Sequence, residues 1–283
     1  MSNVKKLLFL FLCLLVAIPV VSQEGDSLQR QLETLRRIHP WAGKKVAFLG
    51  DSITDPRTRP NDTHYWAYLQ QWLGITPLVY GISGREWNDI PAQADRLQKE
   101  HGSDVDAILV FCGTNDFNAG VPLGRWFDEK VEQVRAERGN QHGTVWARHR
   151  VPAMDAATFR GRLNIAINHL KHLFPTRQIV LLTPLHRAYA TFGDKNVQPD
   201  ENWQNGCHEY VDAYVEAVRE AGSVWSVPVV DLNARSGLFP LLKEQGQLFG
   251  DTLSDRLHPN AAGHRRMALT LVYQLLTLPC SIE

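Results

Sequence analysis

The sequence predicts an α/β fold in which a five-stranded parallel sheet is covered by helices on both faces. Five short apolar runs, at residues 45–49, 77–80, 107–111, 178–182 and 227–230, have the length and continuity of strands buried on both sides. Segments of helical periodicity alternate with them, at 65–73, 88–99, 156–174 and 207–221, and a last one spans 261–276. The residues able to do chemistry stand directly after the runs, where ligands bind in open parallel sheets.

Element by element, the first run is followed by Gly50-Asp51-Ser52-Ile53-Thr54 and the helix at 65–73. The second ends in Gly81-Ile82-Ser83-Gly84 before the helix at 88–99. The third ends in Cys112-Gly113-Thr114-Asn115-Asp116 and opens a long connection at 117–155, which leads to the helix at 156–174. The fourth ends in Thr183-Pro184-Leu185-His186, and a second long connection covers 185–206. Connections of this length in a compact domain are functional or carry small elements of their own. The helix at 207–221 and the fifth run follow, and Asp255-Arg256-Leu257-His258-Pro259-Asn260 stands just before the last helix. No repeat or composition shift marks a second domain.

The 283 residues carry 30 Lys+Arg against 30 Asp+Glu, with no run of like charge. A nucleic-acid binder driven by phosphate contacts is therefore not expected. With 44% hydrophobic and 21% charged residues, the chain is not read as disordered. At the N-terminus, Lys5 and Lys6 precede an apolar run at 7–18, and Pro19-Val20-Val21-Ser22 leads into a polar segment. That is the order of a secretory signal peptide over residues 1–22, its apolar run shorter than the roughly 20 residues of a membrane span. An uncleaved anchor is the alternative. The mature domain, 23–283, is expected to be exported, periplasmic or secreted, with no membrane span. It would keep 28 basic and 30 acidic residues.

Cys112, Cys207 and Cys280 remain after cleavage, so at most one internal disulfide is available. Cys112 reads as a buried small hydrophobe, and a bridge, if formed, would join Cys207 to Cys280. No Cys-x-x-Cys, His-Glu-x-x-His or calcium-loop pattern occurs, and no metal or cofactor is expected.

Ser52, at a strand-to-helix turn, is a candidate nucleophile with helix-start amides facing a developing oxyanion. Serine needs a base. Asp255 and His258, three apart and about one helical turn if helical, supply one, the carboxylate fixing the imidazole tautomer. Gly81 offers an unobstructed amide and Asn115 a side-chain amide donor; with the Ser52 amide they make a three-donor oxyanion hole. Ser83 is a rival nucleophile, but Gly81-x-Ser83 is followed by Arg85 where a nucleophile elbow needs glycine. Asp51 and Asp116 are read as holding their turns.

Gly50-Asp51-Ser52, Gly81, Gly113-Thr114-Asn115-Asp116 and Asp255-x-x-His258, in this order, resemble the four blocks of the SGNH (GDSL-type) hydrolases, and the resemblance spans about residues 45–276. It implies a flavodoxin-like three-layer α/β/α sandwich and ester hydrolysis by a Ser-His-Asp triad without metal or cofactor. Ser52 is then nucleophile, His258 base and Asp255 its orienting partner, with Gly81 and Asn115 as oxyanion donors. One departure is Val79, where members often have asparagine two positions before the block-two glycine.

Trp87, Trp126, Trp146 and Trp203 fall in segments expected to rim the crevice, and His186 follows a strand. These residues, with Arg125, Arg148 and His142 nearby, either contact a sugar or serve the loops as packing and hydrogen-bonding groups. Trp41, Trp66, Trp72 and Trp225 are read as packing residues. Asn61-Asp62-Thr63 matches the N-glycosylation pattern, which recurs by chance. The leading expectation is an exported esterase that removes a small acyl group, acetyl foremost, from a carbohydrate. The alternatives are a lysophospholipase or thioesterase acting on lipid acyl chains and a non-catalytic glycan-binding module.

Overall fold

The computed structural model describes residues 24–281. The expected signal peptide lies outside the described residues. Helix α1 (Glu24–Ile38) opens the chain, followed by β1 (Lys45–Gly50), α2 (Tyr65–Leu73), β2 (Thr76–Val79), α3 (Ile90–His101), β3 (Ala107–Phe111) and the single-turn α4 (Thr114–Asn118). The long strands β4 (Phe127–Arg138) and β5 (Gln141–Pro152) precede α5 (Phe159–Leu173) and β6 (Gln178–Leu182). Two short strands, β7 (Ala190–Thr191) and β8 (Val197–Gln198), lead to α6 (Val211–Trp225), β9 (Val229–Val230) and α7 (Leu232–Arg235). The chain closes with β10 (Phe249–Asp251), β11 (Asp255–Pro259) and α8 (Ala261–Leu275).

The central sheet is all parallel, in the order β2-β1-β3-β6-β9. That order is the flavodoxin-like one, and its reversal falls between β1 and β3. Alternate strand residues enter two separate cores. Ala47, Leu49, Ile108, Val110, Ile179 and Leu181 pack with α3, α5 and α6. Phe48, Leu109, Phe111, Val180 and Leu182 pack on the other side with α2 and α8. The three layers follow from the side-chain period of two, which gives a doubly apolar strand one hydrophobic face for each helix layer.

The connection expected over 117–155 is mostly the β4–β5 hairpin, twelve antiparallel pairs long and closed at Gly139-Asn140, with Gly139 at φ 54°. Both of its faces meet solvent along most of their length, because its residues are largely polar. The second connection contributes β7 and β8 to a four-stranded sheet in the order β10-β11-β7-β8. Helix α1 was not expected; its sequence is mostly polar, and Leu35 is its buried anchor.

Cys112, Cys207 and Cys280 are all unbridged. The expected pairing of Cys207 with Cys280 is corrected: Cys280 is buried in the core that holds α2 and α8, whereas the Cys207 thiol donates to the Gly120 carbonyl beyond α4. Among the described residues, no helix is long and apolar enough to cross a membrane, and no group of three or more His, Cys, Asp or Glu side chains is placed to hold a metal ion.

Candidate active site

The reversal in strand order puts the ends of β1 and β3 side by side, opening a crevice where two loops diverge. Gly50 makes the close approach possible: a Cβ there would lie 2.1 Å from the Phe111 carbonyl oxygen, and its φ of 153° suits glycine. Gln93 on α3 fixes this corner, accepting from the Gly50 N–H and donating to its carbonyl, each at 2.8 Å. Asp51 turns the chain, its carboxylate accepting from the Ile53 amide at 3.0 Å. Ser52 follows, buried at the base of the crevice.

Its hydroxyl oxygen lies 2.8 Å from His258 Nε2. The opposite nitrogen, Nδ1, is 3.1 Å from both carboxylate oxygens of Asp255. The two residues are not on a helical turn, as a spacing of three had suggested. They lie on β11, where Asp255 Oδ1 also accepts from the His258 and Leu257 amides, so a local side-chain-to-backbone turn brings carboxylate and ring together. Burial pushes the Asp255 carboxyl up, but the His258 bonds and charge and the two amides outweigh it and hold it below the usual carboxylate range. Neighbouring β10 makes room, since a Cβ on Gly250 would lie 2.5 Å from Asp255 Oδ2 and 2.6 Å from Arg59 Nη1.

Among the described residues, the Ser52 and Gly81 amides donate to nothing within the chain. Gly81 must be glycine for a steric reason that its sequence alone did not show: a Cβ would lie 2.5 Å from Thr54 Cβ. Asn115 opens α4 with its side-chain nitrogen donating to the Arg85 carbonyl at 2.9 Å, which orients the amide and leaves its second hydrogen. The loops carrying these donors are tied together. Asp55 Oδ2 accepts from the Ser83 amide, and buried Asp116 accepts from the Trp87 amide and from Arg162. Ser83 itself is exposed and has no histidine partner.

Behind α4 lies a buried polar network that sequence reasoning missed. Arg187, 1% exposed, donates to the Thr114 carbonyl and hydroxyl and to Gln198, and stacks on Phe117. Glu201 accepts from the Arg187 amide and from His186 Nδ1. Burial draws the Arg187 guanidinium down to about 10, against Glu201 and Asp51. Burial likewise lifts the Asp51 carboxyl to about 6, opposed by the Ile53 amide, His258 and Arg187. Asp51 and His186 face a cavity of about 10 Å³, room for about one water.

The aromatic expectations divide. Trp87 is fully buried with its indole N–H on the Cys112 carbonyl, and Trp126 is partly buried, donating to Glu220, so both pack rather than face the crevice. Trp146 stands 68% exposed on β5, and Arg148 and His142 are engaged by Glu129 and Glu137 on the same hairpin. Arg125 pairs with Asp128. Trp203 is exposed beside the β7–β8 hairpin. The aromatic nearest the histidine is Phe192, at that hairpin's tip, with its ring edge-on to His258 at 5.2 Å. No alternation or motif marks it, since the short strands that place it have no period to read.

A hydroxyl held by an imidazole, itself held by a carboxylate, beside unengaged amide donors, is the arrangement that generates an alkoxide-like nucleophile and receives an oxyanion. Solved structures similar to the chain include one of a Lactobacillus plantarum protein, 27% identical over 83% of this chain and 97% of the other, with a TM-score of 0.63. A possible lipase from Chitinophaga pinensis is 21% identical over 83% and 98%, with a TM-score of 0.60. A mutant of Axe2, an acetyl-xylooligosaccharide esterase from Geobacillus stearothermophilus, is 23% identical over 83% and 94%, with a TM-score of 0.51. No curated protein matches in sequence. The model of the GDSL-like lipase/acylhydrolase family matches residues 48–266, a span that takes in Ser52, Gly81, Asn115, Asp255 and His258. The chain belongs to that family of ester hydrolases.

Proposed function

We propose that the chain is an exported serine esterase that removes short acyl groups, acetyl foremost, from carbohydrate alcohols. The observation that carries the reaction is the line from Ser52 Oγ through His258 to Asp255, with the Ser52 and Gly81 amides left unengaged beside it. Ser52 attacks the ester carbonyl while His258 Nε2 takes its proton. The tetrahedral oxyanion is received by the Ser52 and Gly81 amides and Asn115 Nδ2. Collapse breaks the bond to the leaving alcohol, whose oxygen takes the proton from His258. Water, deprotonated by the same nitrogen, then releases the acid and restores Ser52. Asp255 holds Nδ1–H throughout and offsets the imidazolium charge.

The leaving alcohol has to sit beside His258, because that residue protonates it. Phe192 stands there, half exposed, and an aromatic face suits a sugar ring. At 23% identity the likeness to the acetyl-xylooligosaccharide esterase carries the fold, and the sugar reading rests on these side chains. Export rests on the order of charged, apolar and small residues at the N-terminus.

A second reading, hydrolysis of lipid acyl esters, is favoured by one observation: Leu253, in the turn two residues before Asp255, is an apolar side chain 82% exposed. Hydrolysis of p-nitrophenyl acetate and octanoate by the mature protein and by Ser52→Ala separates the two. Acetate preference abolished by the substitution supports the first reading, and octanoate preference moves the function to lipids. Activity that survives Ser52→Ala overturns the mechanism.

A further inference from the structure

We propose that a groove beside the site binds the chain of a neutral oligosaccharide, so that the substrate is an acylated glycan rather than a single sugar. This rests on the esterase reading above. The groove, about 320 Å³, runs between the end of α4 and the β7–β8 hairpin, and Asn118, Lys195, Asn196, Asp200, Trp203 and Gln204 line it. That volume is in the range of ligand sites.

The chemistry of the lining selects the ligand class. Trp203 offers an indole 65% exposed, a flat apolar face, with Val197 and Pro199 adding smaller apolar surface among the polar groups. The side chains of Asn118 and Lys195 make no hydrogen bond among the described residues. The Asn196 amide accepts from Gln198 through its oxygen, leaving its nitrogen to the groove, and Gln204 donates through its nitrogen, leaving its oxygen. Asp200 accepts the Asn202 amide at one carboxylate oxygen and keeps the other. Free donors and acceptors interleaved around one aromatic face suit a hydroxyl-rich ring better than an acyl chain. One Lys and one Asp balance, which suits a neutral sugar better than a polyanion.

Two routes tie the groove to the catalytic centre, one along a helix and one through a hydrogen bond and a ring contact. Asn118 is one turn along α4 from Asn115, on the same helix face. Asn196 receives the Phe192 N–H at 2.9 Å through its carbonyl, and Phe192 packs on His258. The hairpin tip is thus a shared wall, with the leaving alcohol on one side of it and the groove on the other. A sugar whose ester is held at Ser52 has its further residues directed past Phe192 toward Trp203.

The test is chain-length dependence in the full mature protein, with acetylated β-1,4-linked xylose and glucose oligosaccharides of one and six residues and with p-nitrophenyl acetate. In at least one series, the six-residue ester is expected to exceed the single sugar in kcat/KM by about tenfold or more, mostly through KM. Trp203→Ala removes most of that gain, Asn118→Ala part of it, and Trp203→Phe, which keeps an aromatic face, retains it. Thermal melts within a few degrees of wild type show that loss of the gain is not loss of fold. Hydrolysis of p-nitrophenyl acetate with no chain-length gain in either series, or a gain untouched by Trp203→Ala, overturns the groove and spares the esterase. A wild-type protein inert toward p-nitrophenyl acetate and all of the sugar esters overturns both.

Discussion

The two ring nitrogens of His258 face opposite ways: Nε2 lies 2.8 Å from Ser52 Oγ, 206 positions earlier in the chain, and Nδ1 lies 3.1 Å from each oxygen of Asp255. The carboxylate sets which nitrogen is free to accept the serine proton. Asp255→Asn puts an amide where the acceptor was, so Nδ1 can accept from it and Nε2 becomes the protonated nitrogen. We expect kcat on p-nitrophenyl acetate to fall about 10³- to 10⁴-fold near neutral pH. Asn keeps an oxygen for the His258 and Leu257 amides, so the melting temperature should change little. A fall of less than tenfold would remove Asp255 from the mechanism.

Arg187 makes no contact with Ser52 or His258, yet it grips the residue before Asn115 through both the Thr114 carbonyl and its hydroxyl, at 3.2 and 3.0 Å. Arg187→Met loses both bonds and the bond to Gln198, and loosens the first turn of α4. Because it acts through Asn115, kcat should fall roughly 10- to 100-fold with KM nearly unchanged, a part of what losing one oxyanion donor costs. Added to Asn115→Ala, the same substitution should cost little more. Fully additive losses in that cycle would make Arg187 a packing residue only.

What was readable in the sequence was what a short window encodes. The five strands of the central sheet show as continuous apolar runs, of which β1, β3 and β6 are buried along their length, and Ser52, Gly81, Asn115 and Asp255–His258 as short motifs after runs or before the last helix. The β4–β5 hairpin escaped because both of its faces meet water, so no hydrophobic alternation marks it, although Gly139-Asn140 between two twelve-residue strands was a usable turn signal. Strands β7, β8 and β10 are two or three residues long and carry no period. Gln93, Arg187, Glu201 and Phe192 escaped for another reason. Each acts through a residue distant in sequence, and only the fold brings them together. Trp87 shows the converse: its place beside a motif suggested a substrate contact, while its indole is spent on the Cys112 carbonyl.

Asp51 gives stability a pH dependence of known sign. Its carboxyl is raised from 3.8 to about 6 by burial, so between those values the folded protein holds a proton that the unfolded chain has released. Unfolding free energy from this group therefore falls as pH rises through the window, and the loss is complete above the folded value. Asp51→Asn keeps an acceptor for the Ile53 amide and has no proton to lose. Relative to wild type it should gain roughly 1–3 kcal/mol between pH 4 and pH 7. The depressed Asp255 acts in the opposite direction, but it is present in both proteins and cancels from the difference. Urea titrations at the two pH values measure it, and a difference independent of pH would contradict the assignment.

The β4–β5 hairpin is joined to the body at Phe127 and Pro152, which face each other across its first pair. Its ion pairs, among them Lys130 with Glu132, His149 with Glu132, Arg148 with Glu129 and His142 with Glu137, are internal and exposed. Such exposed pairs are screened by solvent and add little stability, and a two-stranded ribbon alone is marginal in water. The body therefore gains little stability from it. Replacing residues 129–150 with a short Gly-Ser turn should leave the melting temperature within a few degrees of wild type, and p-nitrophenyl acetate hydrolysis within about twofold. The anchors at its root remain: the Trp126 indole on Glu220, and the Asn164 amide on the Trp126 and Ala153 carbonyls. A large drop in melting temperature would show that the hairpin braces the body, and loss of activity without loss of stability would place it in the substrate's path.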